Sequence, residues 1–279
     1  MSRSPRFPLG LDKVQARLVG RADGSSLLRP QRPLEHAAQD QARRSMPSGL
    51  GMDSAAVRHR MIERLRFAGL QCEPVLQALA QVERHRFVDT ALATQAYEDT
   101  SLPIGLQQTI SKPSVVGHML ALLFDSAFAR ENGHLGSVLE IGTGCGYQAA
   151  LLLQLARSVV SIERLQALHD KARDNLADCR QGHRLVGRPR QADLRLVFGD
   201  GRLGHAPRAP YHSIIAAAGG EQLPTAWTEQ LAVGGRLVAP LQTGPGAGQR
   251  LLIVDRGAQG LVSHQQDAVH FVPLKSGTE

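Results

Sequence analysis

Val138-Leu139-Glu140-Ile141-Gly142-Thr143-Gly144-Cys145-Gly146-Tyr147 is the stretch from which the fold can be read. An apolar, strand-forming run passes into glycines at alternate positions and then into a helical pattern over about 147–156. A chain takes that order where its backbone must approach a ligand closely beside a helix N-terminus, because glycine has no Cβ and the helix start offers unpaired N–H groups. The spacing is GxGxG, with Tyr147 standing where a dinucleotide fingerprint would place its next glycine, and the strand ends in an acid, Glu140. Both departures favour S-adenosyl-L-methionine over a nicotinamide cofactor. A sulfonium cofactor has no pyrophosphate to cradle and gains from nearby carboxylates.

Outward from this segment, short apolar runs alternate with helical stretches. Strands are expected at 138–141, 159–162, 194–198, 213–217, 236–239 and 251–254, with helices at about 113–124, 147–156, 164–177 and 224–231. Near-continuous apolar strands alternating with helices imply a parallel sheet covered on both faces, an α/β, doubly wound, Rossmann-like domain. Two further acids fall at expected strand ends. Glu163 lies about 20 residues past the loop, where a carboxylate can accept both ribose hydroxyls. Asp200, in Phe198-Gly199-Asp200-Gly201, could receive the adenine amino group, although alone it reads as a turn aspartate. The candidate cofactor residues are thus Glu140, Gly142, Gly144, Gly146, Glu163, Asp200 and Gly201.

Composition narrows the remaining possibilities. The 279 residues are 42% hydrophobic and 20% charged, ordinary globular values. No apolar run approaches the roughly 18 residues of a membrane helix, and no secretory signal is apparent at the start. Three cysteines without a CxxC argue against a disulfide framework and for a cytoplasmic protein. Eleven histidines form no HExxH or Cys/His cluster, so no metal is expected. The formal charge of +7 is concentrated in residues 1–51, which hold nine Lys or Arg against four acidic residues, along with five prolines and no sustained periodicity. They read as a disordered basic extension. The rest is nearly neutral, and with 4% aromatic residues nucleic acid is not an expected partner.

From residue 52 a helical subregion runs to about 112: one helix carries Val57, Met61 and Leu65 with a cap at Asp53 or Ser54 and Gly69 as its stop, and a second spans about 74–83. It leads into Leu102-Pro103-Ile104-Gly105-Leu106-Gln107-Gln108-Thr109-Ile110-Ser111-Lys112-Pro113. Ser111 reads either as a helix cap or as a hydroxyl at the positive end of a helix, placed to hold a carboxylate.

These residues, with Phe87-Val88, Gly199-Asp200-Gly201, Ala209-Pro210-Tyr211 and Phe271-Val272-Pro273-Leu274, resemble the protein-L-isoaspartate (D-aspartate) O-methyltransferases over about 61–274. The resemblance implies a class I S-adenosylmethionine-dependent methyltransferase sheet with N-terminal helices and a C-terminal substrate-binding strand. It implies methyl transfer to the free α-carboxyl of L-isoaspartyl residues in damaged peptides and proteins, with D-aspartyl residues as a further candidate acceptor and S-adenosyl-L-homocysteine as product. Repair then follows through a succinimide. Ser111 matches the family's active-site serine, Ile110 lies beside it, and Phe271, Val272 and Pro273 match the segment that holds the peptide. A monomer is expected. Two departures stand out: Gln107 replaces a usual glycine, and Ala217-Ala218-Gly219-Gly220-Glu221 lacks a common proline. The alternatives are a methyltransferase of the same fold acting on another carboxylate or small molecule, and a cofactor-binding protein without catalysis.

Overall fold

A computed structural model describes residues 55–182, 192–242, 244 and 248–279. The expected basic extension over 1–51 and the cap at Asp53 or Ser54 lie outside these residues. The chain opens with helices α1 (Ala55–Phe67) and α2 (Glu73–Gln81), then two 3-10 segments, Arg84–Phe87 and Thr90–Gln95. The expected helix limits hold within one or two residues, with Pro74 in the first turn of α2 and Gly69 at φ +101° just past α1. Next comes a two-stranded antiparallel hairpin, β1 (Leu102–Gly105) and β2 (Gln108–Ile110), to which the sequence analysis assigns no element.

The main body follows as α3 (Pro113–Phe124), α4 (Ala127–Asn132), β3 (Ser137–Ile141), α5 (Tyr147–Leu155), β4 (Ser158–Glu163), α6 (Gln166–Gly182) and β5 (Asp193–Phe198). It is completed by β6 (Tyr211–Ala216), α7 (Thr225–Glu229), β7 (Leu231–Gln242), β8 (Gln249–Gly257) and β9 (Gly260–Val269). These strands form one seven-stranded sheet in the order β5-β4-β3-β6-β7-β8-β9. The strands β5, β4, β3, β6 and β7 are parallel.

The expectation of a wholly parallel sheet is corrected at one edge, where β7, β8 and β9 pair antiparallel. Too few residues separate these strands for a parallel crossover, which needs a dozen or more. β9 was not foreseen, because Gly-Leu-Val-Ser-His-Gln-Gln-Asp-Ala-Val is a polar edge strand, exposed along almost its whole length. Pleating divides the core. Val138, Val159, Ile215, Val238 and Ile253 belong to the cluster that includes Met119 and Leu151, while Leu139, Val160, Ile214, Leu237 and Leu252 belong to the cluster around Trp227. Both faces of the sheet are therefore buried. The functional loops gather where a doubly wound sheet binds ligands, at the carboxyl ends of its strands.

Candidate active site

The carboxyl end of β3 turns into the glycine loop, and three positive φ angles make the turn: +89° at Gly142, +56° at Gly144 and +91° at Gly146. Gly146 caps α5, and a Cβ there would lie 3.0 Å from Leu176, so a larger residue would push α6 away. A Cβ on Gly144 would meet the Ile104 side chain of the hairpin at 3.2 Å. The loop is held from three sides. Ile162 O accepts the Gly142 N–H at 2.9 Å. Glu163 Oε2 accepts the Gly144 N–H at 2.8 Å, and Asn175 Nδ2 donates to Cys145 O at 2.9 Å. Lys171, also on α6, donates to Ile104 O at 3.0 Å and so ties the hairpin to the same helix. Sequence reasoning missed Lys171 and Asn175, whose only signal is a helical spacing of four.

A cavity of about 190 Å³ opens above this loop. Of the expected cofactor residues, Gly142, Gly144, Glu163 and Gly201 line it, and of the expected acceptor residues Ile110, Ser111, Val272 and Pro273 do. The other four sit elsewhere. Gly146 lies beneath the loop as the helix cap. Phe271 is buried, with its N–H donating to Gln249 Oε1 at 2.7 Å. Asp200 keeps its turn role: it accepts from Arg202 N at 2.9 Å and from Gly277 N at 2.7 Å.

Glu140 is fully buried below the cavity floor, where it accepts from Ser161 Oγ at 2.5 Å. Ser161 in turn meets Thr143 Oγ1 of the loop at 2.5 Å. Burial pushes the Glu140 carboxyl up to about 8, aided by the charge of Glu163 and opposed by the Ser161 hydrogen bond. Burial thus favours the neutral form of Glu140, which braces the loop from below through Ser161. Burial also raises the Cys145 thiol, which leaves it protonated and no nucleophile.

Ser111 proves not to be the helix cap. Lys112 occupies the cap position of α3, and the carboxylate of Asp99 takes the Ser114 N–H at 2.8 Å and hydroxyl at 2.7 Å. The Ser111 hydroxyl is left without a hydrogen-bond partner among the described residues and lines the cavity. The expected C-terminal strand is an extended segment joined by a single parallel bridge. Gly219 N–H donates to Val272 O and Leu274 N–H to Gly219 O, each at 2.8 Å. Gln107, at the hairpin tip, has φ +58°, which explains why glycine suits the position.

A family model described as protein-L-isoaspartate(D-aspartate) O-methyltransferase matches residues 56–279. The chain belongs to this family. A Methylibium petroleiphilum protein-L-isoaspartate O-methyltransferase is 56% identical over 99% of this chain and 97% of its own length. A Leptothrix cholodnii protein of the same name is 53% identical over 99% and 95%. Among solved structures, a protein-L-isoaspartate O-methyltransferase superposes with a TM-score of 0.65 at 24% identity, covering 77% of this chain and 65% of that one. A Plasmodium falciparum chain assigned provisionally to this activity, solved with S-adenosyl-L-homocysteine, gives 0.64 at 19% over 78% and 98%. At these identities the structures show the shared fold. The isoaspartyl methyltransferase family uses S-adenosylmethionine, and the cavity suits it: an open glycine cradle beside a buried carboxylate.

Proposed function

We propose that this cavity carries the family's reaction, transfer of a methyl group from S-adenosyl-L-methionine to the free α-carboxyl of an L-isoaspartyl residue, with Ser111 holding the acceptor. The observation that carries this assignment is the unpartnered Ser111 hydroxyl, set in one cavity with the glycine loop, Glu163 and the Val272–Leu274 segment. When bound, the cofactor supplies an electrophilic methyl group. The backbone of Gly142–Cys145 would hold it, and Glu163 would accept from its ribose. Glu163 already accepts from Gly144, Arg164 and Leu165, so Oε2, with one partner, has the lone pair free for a hydroxyl.

Little proton chemistry is required. An α-carboxylate is already ionised at neutral pH, so no general base is needed. Catalysis comes from holding the carboxylate oxygen in line with the methyl group, an effect worth at most about 7–11 kcal/mol. Ser111 fixes that oxygen, and the extended Val272–Leu274 segment, pinned by Gly219, walls the acceptor side. The nitrogen of the isoaspartyl peptide bond then attacks the ester carbonyl and expels methanol, a far better leaving group than a carboxylate offers, so the chain closes to a succinimide, and hydrolysis of that ring returns part of it to normal aspartate.

No described helix is long and apolar enough to cross a membrane. Cysteine usage supports a cytoplasmic site, where damaged proteins are the substrates, and we propose that the chain acts as a monomer without a metal. D-aspartyl acceptors and the limits of the domain at 52 belong to the same reading.

Paired substitutions test the assignment. Ser111→Ala should lower the rate on an isoaspartyl peptide by about 10- to 100-fold at unchanged S-adenosylhomocysteine affinity. Glu163→Ala should instead weaken that affinity, by about 1.5–3 kcal/mol, through lost hydrogen bonds to a charged group. Titration calorimetry and turnover separate the two. A Ser111→Ala variant that loses cofactor affinity, or keeps full rate, overturns the role of Ser111.

A further inference from the structure

The segment that walls the acceptor side of the cavity continues beyond it. From its bridge to Gly219, past the carboxyl end of β6, the chain runs on to meet the ends of β5 and β4. Gly277 N–H donates to Asp200 Oδ2 at 2.7 Å. Glu279 N–H donates to Arg164 O at 2.9 Å, and Gln166 N–H donates to Glu279 O at 2.7 Å. Since the strands run β5-β4-β3-β6, a segment fixed at β6 and at β4 must pass the end of β3, where the glycine loop lies. Residues 272–275 line the cavity along that path.

The far end converges on Arg164. Its Nε donates to Gly277 O at 3.1 Å and its Nη1 approaches Glu279 Oε2 at 3.3 Å. Its own N–H donates to Glu163 Oε1 at 2.9 Å. One residue therefore touches both the acid assigned to the ribose and the end of the segment assigned to the peptide. Arginine suits this position because its rigid fork donates in two directions at once, which a lysine ammonium does less well. The Glu279 carboxylate is largely exposed, so the ion pair adds little and the main-chain and Gly277 bonds carry the attachment.

We propose that Arg164 is a positioning residue: it latches residues 272–279 across the mouth of the cavity and keeps the peptide wall in register with the cofactor loop. The proposal rests on reading the cavity as a methyl-transfer site, but not on the identity of the acceptor.

The test uses the full chain and the variants Arg164→Ala, Arg164→Lys and Gly277→Ala. Gly277 is outside the cavity lining and has φ +72°, so a Cβ there strains the latched backbone without touching the site. Three readouts apply: release of Ser276–Glu279 by trypsin cleavage after Lys275, dissociation of labelled S-adenosylhomocysteine, and KM against kcat for an isoaspartyl peptide. Arg164→Ala and Gly277→Ala should speed cleavage and dissociation by about fivefold or more and raise KM more than they lower kcat, with Arg164→Lys between them and the wild type. Gly277→Ala decides the matter if Arg164→Ala folds poorly. Unchanged cleavage and dissociation in well-folded variants would overturn the latch. A wild-type protein inactive on the peptide but showing the cleavage effect would count against the acceptor alone.

Discussion

The fates of Glu140 and Glu163 turn on one position of strand pleat. Glu163 is the last residue of β4 and reaches the glycine loop, whereas Glu140 is followed by Ile141 and pairs in register with Ser161. Both acids are plain in the sequence, but the difference between them is not, because it depends on where each strand stops. The inward carboxyl of Glu140 has a measurable consequence. Its pKa rises from 4.5 to about 8 on folding, so the folded state binds the extra proton between those values. The contribution of Glu140 to stability is therefore greatest below pH 4.5, falls as the pH rises through that window, and changes no further above about 8. Glu140→Gln should flatten the decline of Tm between those pH values while keeping the acceptor for Ser161. An identical pH profile in the variant would show that the carboxyl is ionised in the folded protein. At the same scale, Cys145→Ser should keep most turnover, since a buried protonated thiol does no chemistry.

Among the elements, those that follow simple periodicity were legible: α3 is Pro113–Phe124, as its apolar spacing predicts, and β3, β4, β5 and β6 start within two residues of expectation, whereas β7 begins at Leu231, five residues before the expected 236. The β1–β2 hairpin was not. Its two-residue tip is Leu106-Gln107, at φ +51° and +58°, where a turn of this kind normally announces itself with Asn-Gly or Gly-Gly. Two L-residues in the left-handed region cost about 1–2 kcal/mol each. Gln107→Gly should relieve part of this and raise stability by about 0.5–1 kcal/mol, read from the denaturant midpoint. A loss of stability would mean that Gln107 makes compensating contacts. The antiparallel edge was hidden for another reason: its pairing depends on connection length and on a buried arginine. Arg236, 11% exposed in its side chain, donates to both oxygens of Asp255 on β8 and to Leu122 O at the end of α3. Arg236→Met should cost about 1–3 kcal/mol by leaving Asp255 and that carbonyl without their donor, again visible as a lower midpoint.

For the whole molecule, one pattern organises the chemistry: the carboxyl ends of β3, β4 and β6 bring the glycine loop, Glu163 and Gly219 together, and the hairpin and residues 272–279 close over them. The strand ends were legible because each is marked by glycine or an acid in the sequence. The closing pieces were legible only in part, since Ser111 and Val272–Leu274 come from segments remote in the chain, and their meeting depends on tertiary packing that no local pattern encodes. Family membership fixes the reaction, and the roles proposed for Ser111 and Glu163 rest on their place in the cavity lining. The most direct check is transfer of labelled methyl from S-adenosyl-L-methionine to two synthetic peptides that differ only in isoaspartate or aspartate at one site. Base-labile label on the isoaspartyl peptide alone is the predicted result. Equal label on both, or label on neither with S-adenosylhomocysteine binding intact, would contradict it.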